Sequence, residues 1–238
     1  MKSFIPRFGA LLLLISSAFI ITATAPVAYA ASQPEPQKEE RQPKPVKKIL
    51  FLGDSMTGWL AEALNAYGKV NGFEVATIVW DGSTISKWAS SGKLPSLISK
   101  YDPDAVFVSL GMNELFEAHP NTRLANPVST IKEAVGDKAL VWVGPPSWPG
   151  QKKGQVLNDW LQHTLGSDVF FRSFDLTLPR QGARNPHPTR QGMIQWTDSL
   201  VNWLKDNKSL KFTTLDRPEK TRMVRGTTFV YKRMGESL

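Results

Sequence analysis

The stretch FLGDSMTGWL, residues 51–60, carries an apolar run into Gly-Asp-Ser and on into a helical pattern. A serine at such a junction either caps the helix or acts as a nucleophile, and the tripeptide alone does not separate the two. A hydroxyl attacks only when a base takes its proton, and histidine is the usual base near neutral pH. The chain has three histidines. His119, in FEAHPNT, reads as a surface loop residue, and His163, in LNDWLQHTL, as a partly exposed helix residue. His187 stands in ARNPHPTRQG, braced by a proline on either side and followed by Thr189, which can cap the last helix. Ser55 and His187 are therefore the candidate nucleophile and base.

Acyl transfer further requires donors aimed at the developing oxyanion, each worth roughly 3 to 4 kcal/mol. The N–H of Ser55 at a helix start is one candidate. The N–H of Gly82 is a second, because glycine lets the backbone come close to a substrate, and the side-chain amide of Asn113 is a third. Taken one at a time, Asp-Gly at 81–82 and Gly-x-Asn at 111–113 are explained equally well as turn chemistry.

The elements that must position these groups are apolar runs at 48–53, 73–80, 104–111, 138–144 and 168–174, rich in β-branched and aromatic residues. Between them lie helix candidates at 57–70, within 83–101, and at 127–136, 153–166 and 189–206. Leu157, Trp160, Leu161 and Leu165 share one helical face, as do Met193, Trp196, Leu200, Val201 and Leu204. Strands alternating with helices predict an α/β chain, a three-layer α/β/α sandwich around a five-stranded parallel sheet. In such a sheet the functional crevice opens beyond the carboxyl ends of the strands. Ser55, Gly82, Asn113 and His187 all follow strands, which predicts that they meet at one edge. TTFVYKR, near the C-terminus, is open to two readings: an added edge strand or a loosely attached segment.

The ends have a different composition. Lys2 and Arg7 precede an apolar run from Ala10 to Ile21, and Ala28-Tyr29-Ala30 matches the small-x-small pattern of a signal-peptidase site, so residues 1–30 read as a cleavable secretory signal. The run is short for a membrane span of ~20 apolar residues. Residues 31–47 read as a disordered linker rich in Pro, Gln and charge, 48–206 as the folded body, and 207–238 as a basic C-terminal extension. The formal net charge is +8, yet fourteen basic and fourteen acidic residues balance between positions 49 and 205. A neutral body argues against nucleic acid as partner. The basic ends suit weak, salt-sensitive contact with an anionic envelope, or plain solvation. The chain contains no cysteine, which removes disulfides, zinc–thiolate sites and a cysteine nucleophile. The expected location is secreted or periplasmic, with no transmembrane segment after signal cleavage.

GDS at 53–55, glycine at 82, GMNE at 111–114 and HPTRQG at 187–192, in that order along the predicted elements, resemble the GDSL/SGNH hydrolase superfamily over about residues 48–206. The resemblance implies a flavodoxin-like fold and ester hydrolysis or acyl transfer through a covalent serine intermediate, without metal or organic cofactor. It assigns Ser55 as nucleophile, Ser55 N–H with Gly82 and Asn113 as oxyanion hole, and His187 as base, leaving Asp54 to shape the turn. Met56 stands at the position of the family's leucine, and Glu114 at that of the aspartate in its Gly-x-Asn-Asp block.

The largest departure is Arg184, three residues before His187, where the family places the triad aspartate. A cation there cannot stabilise an imidazolium. The expectation is a Ser-His dyad oriented by a backbone carbonyl, with Asp175 as a candidate third member and a catalytically weak relative as the remaining alternative. Arg184, with Arg180 and Arg190, could instead meet an anionic substrate group, and Trp148, in GPPSWPGQ, is the expected sugar-stacking residue. The resulting expectation is an exported esterase removing O-acyl, chiefly acetyl, groups from an envelope or extracellular polysaccharide, with an acylated carbohydrate or small ester as substrate. An O-acyltransferase using the same residues and a non-catalytic envelope-binding relative are the alternatives.

Overall fold

The computed structural model of the chain describes residues 45–148, 150, 153–182 and 185–238. The region read as a signal peptide and most of the linker lie outside the described residues. Among the described residues no helix is long and apolar enough to cross a membrane.

Six parallel strands form one sheet: β1 (Lys48–Gly53), β2 (Glu74–Trp80), β3 (Ala105–Ser109), β4 (Ala139–Val143), β5 (Phe170–Phe171) and β6 (Phe229–Lys232), in the order β5-β4-β3-β1-β2-β6. The helices are α1 (Thr57–Asn71), α2 (Ile85–Ser91), α3 (Leu94–Tyr101), the single turn α4 (Pro120–Arg123), α5 (Ala125–Val135), α6 (Gln155–Leu165) and α7 (Arg190–Asp206). Successive strand residues point to opposite faces. Ile49 and Phe51 of β1 join one core with Leu60 and Leu64 of α1 and Trp196 and Leu200 of α7. Leu50 and Leu52 join a second with Trp88 of α2, Val128 of α5 and Leu161 of α6. The molecule is thus the expected three-layer α/β/α sandwich, and burial on both faces is why its strands read as unbroken apolar runs.

The sheet has six strands where the sequence predicts five. The sixth is the ambiguous TTFVYKR segment, which pairs parallel to the outer edge of β2, with Val79 opposite Tyr231. The chain reaches it from the end of α7 without a further helix. Instead residues 207–228 wrap α1 and α7: Asn71 at the end of α1 donates to the carbonyl of Asp216 (2.9 Å) and accepts from its N–H (2.7 Å). Asp198 of α7 holds Arg217 (2.7 Å) and, on its other oxygen, Arg222. Leu210, Leu215 and Met223 are buried along the way. At the other end, Pro45 and Val46 already belong to the fold, with Val46 N–H donating to the Lys211 carbonyl at 2.7 Å.

The fifth run yields only the two residues of β5, and the 83–101 region splits into α2 and α3 at Gly92, whose φ is +64°. From β1 the chain moves outward to β2, then crosses back to β3 on the other side. The order therefore reverses at β1, and the carboxyl ends of β1 and β3 diverge into the crevice that such reversals create.

Candidate active site

The turn after β1 is built by its neighbours. A Cβ at Gly53 would lie 2.0 Å from the Ser109 carbonyl oxygen of β3, so the strand can end beside β3 only with glycine there. Asp54, buried, then fixes the turn: its N–H donates to Ser109 O (3.2 Å), its carbonyl accepts from Thr57 N–H (3.1 Å), and its Oδ1 accepts from Met56 N–H (2.9 Å). The helix start is thus served by Asp54. The hydroxyl of Ser55 points elsewhere, donating to Nε2 of His187 at 2.9 Å.

His187 is carried by a clasped loop. Arg180 and Pro188 form an antiparallel bridge, Gln181 N–H donates to His187 O (3.1 Å), and Thr189 N–H donates to Pro179 O (2.8 Å). Thr189 caps α7, its hydroxyl accepting from Gly192 N–H at 3.1 Å. The Arg180 guanidinium donates to the carbonyls of Pro186 and Ser147, tying this loop to the one after β4.

Nδ1 of His187 lies 2.9 Å from Oδ1 of Asn185, and the backbone N–H of His187 donates to the same oxygen at 2.9 Å. A backbone N–H can only donate, so the amide of Asn185 must present its oxygen here. Its Nδ2 correspondingly donates to Gln181 Oε1 at 3.3 Å. Facing an acceptor, Nδ1 carries the proton, which leaves Nε2 unprotonated to receive that of Ser55. The orienting group is therefore a side-chain amide two residues before the histidine, in place of the expected backbone carbonyl. Asp175 has another partner, Arg172 Nε at 2.8 Å, and Arg184 lies outside the described residues. The Asn-x-His turn, in which Oδ1 accepts from the N–H two residues on, is a recognisable Asx signature that sequence reasoning passed over. Burial pushes the His187 imidazole below its ordinary value; Arg180 acts in the same sense and Asp81 opposes them.

The other two turns sit at the same edge, level with the first because Gly53 of β1 is in register with Val79 of β2 and Ser109 of β3. Gly82 has φ +63°, and Asn113 Nδ2 donates to the Ser83 carbonyl at 2.7 Å, so the two candidate oxyanion donors are tied together. One amide proton of Asn113 stays available, and among the described residues no acceptor takes the N–H of Ser55 or Gly82. Met234 from the C-terminal segment rests on Gly82, where a Cβ would meet its Cε at 2.5 Å. The longer side chain of Glu114 reaches the start of α2, Oε1 accepting from Ile85 N–H at 2.6 Å. Burial pushes the carboxyls of Asp54 and Glu114 each up to about 7, and the charges of Glu114 and Asp81 add to the rise at Asp54. Among the described residues each keeps one buried oxygen without a partner, Oδ2 and Oε2 respectively.

Ser55 and His187 open into a cleft of about 720 Å³ whose walls include Trp59 and Glu62 of α1, Met193 of α7, and Arg225, Phe229 and Tyr231 of the C-terminal segment. Trp148 does not line it. That ring packs instead against Phe116, centroids 6.2 Å apart, while Trp80 and Trp88 form a buried edge-to-face pair. Trp59 is the tryptophan that reaches the cleft, and the C-terminal residues beside it were not foreseen from sequence. His119 and His163 are exposed, on a loop and on α6.

No family model matches the chain, and no curated protein matches it in sequence. Its fold does match solved structures. TesA has a TM-score of 0.54 at 18% identity, covering 67% of this chain and 99% of its own. A family 3 carbohydrate esterase from Clostridium thermocellum gives 0.52 at 16%, covering 69% and 98%, and a lipase/acylhydrolase from Enterococcus faecalis 0.51 at 18%, covering 74% and 100%. Nearly all of each neighbour is spanned, while about a quarter to a third of this chain has no counterpart in it. The chain therefore has the fold of the GDSL/SGNH hydrolases that its four motifs suggest.

Proposed function

We propose that this chain is an exported serine esterase that removes short O-acyl groups, acetyl above all, from a cell-envelope or extracellular polysaccharide. The observation that carries the chemistry is the 2.9 Å contact between Ser55 Oγ and His187 Nε2, backed by the Asn185 contact on Nδ1. In the first step Ser55 Oγ bonds to the ester carbonyl carbon as its proton passes to Nε2. The negative charge on the carbonyl oxygen is met by donors from Ser55 N–H, Gly82 N–H and Asn113 Nδ2. Collapse breaks the ester C–O bond, and His187 returns the proton to the departing sugar oxygen. Water, deprotonated by His187, then attacks the acyl-serine, releasing a carboxylic acid and regenerating Ser55.

The imidazolium that forms between these steps faces a neutral amide where a carboxylate would stabilise it more. Asn185 fixes tautomer and orientation without adding charge. This weakens the case for an inert envelope-binding relative, which rested on Arg184. The glycan half of the reading is supported by the exposed indole of Trp59 at the cleft and by the carbohydrate esterase among the fold neighbours. Export is supported by the signal-like pattern of residues 1–30.

Turnover of p-nitrophenyl acetate tests the proposal. The wild type is expected to hydrolyse it and to be labelled by a fluorophosphonate at Ser55, and Ser55→Ala to lose both. Equal turnover by the two proteins would end the esterase reading. Faster transfer to an added sugar than to water would convert it to the acyltransferase reading.

A further inference from the structure

We propose that the C-terminal segment makes a glycan subsite with α1: Trp59 and Tyr231 stack on sugar faces while Glu62 and Arg225 take sugar hydroxyls, contiguous with Ser55. The proposal rests on the glycan-esterase reading above and adds where the sugar lies.

The wall is constructed, not incidental. Val224 N–H donates to Glu62 O (2.9 Å), Asn65 Nδ2 donates to Val224 O (3.1 Å), and Arg225 Nε meets Glu62 Oε1 at 2.9 Å. These bonds lay the segment along α1 just before β6 joins the sheet. Tyr231 is then fixed opposite Val79, its hydroxyl donating to Asp81 Oδ2 at 3.1 Å. Trp59 and Tyr231 are nevertheless 39% and 51% exposed, two large rings left to water beside the cleft.

The composition of the cleft selects its occupant. A short acyl group fills a small part of about 720 Å³, a volume in the range of sites for drug-sized ligands. A long acyl chain would desolvate the Glu62–Arg225 pair and offer it nothing in exchange. A phosphorylated or otherwise anionic ligand would compete with Glu62 for Arg225, and that ion pair is already closed at 2.9 Å. A neutral sugar satisfies every part at once. Its C–H faces suit the aromatic rings, and its hydroxyls both donate to the carboxylate and accept from the guanidinium.

The test uses the full chain carrying Ser55→Ala, which silences turnover, and calorimetric binding of three probes: xylotetraose, cellotetraose and chitotetraose. Saturable binding of at least one is expected. Trp59→Ala and Tyr231→Ala, each added to this background, are expected to weaken it about tenfold. Trp59→Phe and Tyr231→Phe are expected to retain it, which separates lost stacking from lost folding. Binding of none of the probes, or binding indifferent to the alanine variants, would overturn the subsite. So would a result in which Trp59→Ala changes the preference of the active enzyme between p-nitrophenyl acetate and octanoate, since the cleft would then hold acyl chains. Wild-type turnover of p-nitrophenyl acetate keeps the two levels apart: turnover without glycan binding defeats the subsite alone, and absence of turnover defeats the esterase reading.

Discussion

Asn185 accepts two hydrogen bonds from His187 on one oxygen, from the backbone N–H and from Nδ1, both at 2.9 Å. The first bond makes the second possible, since it forces the amide to present oxygen and so sets the imidazole tautomer. A hydrogen bond to a group that becomes charged is worth roughly 1.5–3 kcal/mol. Asn185→Ala is therefore expected to lower kcat on p-nitrophenyl acetate by about tenfold to a hundredfold, with KM little changed. Asn185→Asp keeps the acceptor and adds a negative charge at Nδ1, which favours the imidazolium. Its signature is an acid limb of the kcat/KM profile moved to higher pH, with a kcat at alkaline pH at least equal to that of the wild type. A shift toward lower pH would rule out the arrangement.

The same geometry fixes the pH behaviour of the wild type. The base works only when neutral, and burial holds His187 below its ordinary value of 6.5. As pH falls from 8, the midpoint of the acid limb of kcat/KM is expected to lie below 6.5. An acid limb centred above pH 7 would mean that an anion, not Asn185, faces the ring.

How much of this was legible in the sequence follows from where the partners lie. The strand and helix order could be read because a parallel strand buried on both faces leaves a continuous apolar run, as in KILFLG and DAVFVSLG. The turns bearing Ser55, Gly82 and Asn113 could be placed because each directly follows such a run. β6 was ambiguous because no further helix lies between α7 and it. The segment before β6 is held by Asn71 and Asp198, side chains 145 and 19 residues from their partners Asp216 and Arg217, and such pairing leaves no periodic trace. Trp59 was passed over for Trp148 for a related reason. Which residues of α1 face a cleft depends on a wall supplied by Arg225 to Tyr231, whereas a rigid proline loop around Trp148 signals a rim position in the sequence itself.

Two buried carboxyls make stability depend on pH. Asp54 and Glu114 are raised from about 4 to about 7 in the fold. Between those values each binds a proton in the folded state that the unfolded chain has already lost, so each favours the fold most at low pH and loses that contribution as pH rises from about 4 to about 7. The slope is at most about 1.4 kcal/mol per pH unit for each group. Thermal unfolding of the wild type is expected to show a Tm that falls from about pH 5 to about pH 7 and levels off above it. Asp54→Asn and Glu114→Gln retain an oxygen for the N–H of Met56 and of Ile85 respectively, and the double variant is expected to flatten the dependence. An equally steep fall in the double variant would place its origin elsewhere.

Asn113 serves two ends with one amide group. One Nδ2 proton holds the Ser83 carbonyl at 2.7 Å and so fixes the turn that carries Gly82, while the other is available to an oxyanion. Removal of a single oxyanion donor costs about 10²–10³ in kcat, and Asn113→Ala should reach the upper part of that range because Gly82 loses its tether too. Asn113→Asp removes both roles as well and adds a charge. It offers no N–H to the oxyanion or to Ser83 O and brings a negative charge toward the developing one, so its kcat should fall below that of the alanine variant. KM for p-nitrophenyl acetate is expected to change less than kcat in both, since the interaction grows as charge develops on the carbonyl oxygen. A loss confined to KM would assign Asn113 to substrate binding and leave the oxyanion to the backbone N–H groups of Ser55 and Gly82.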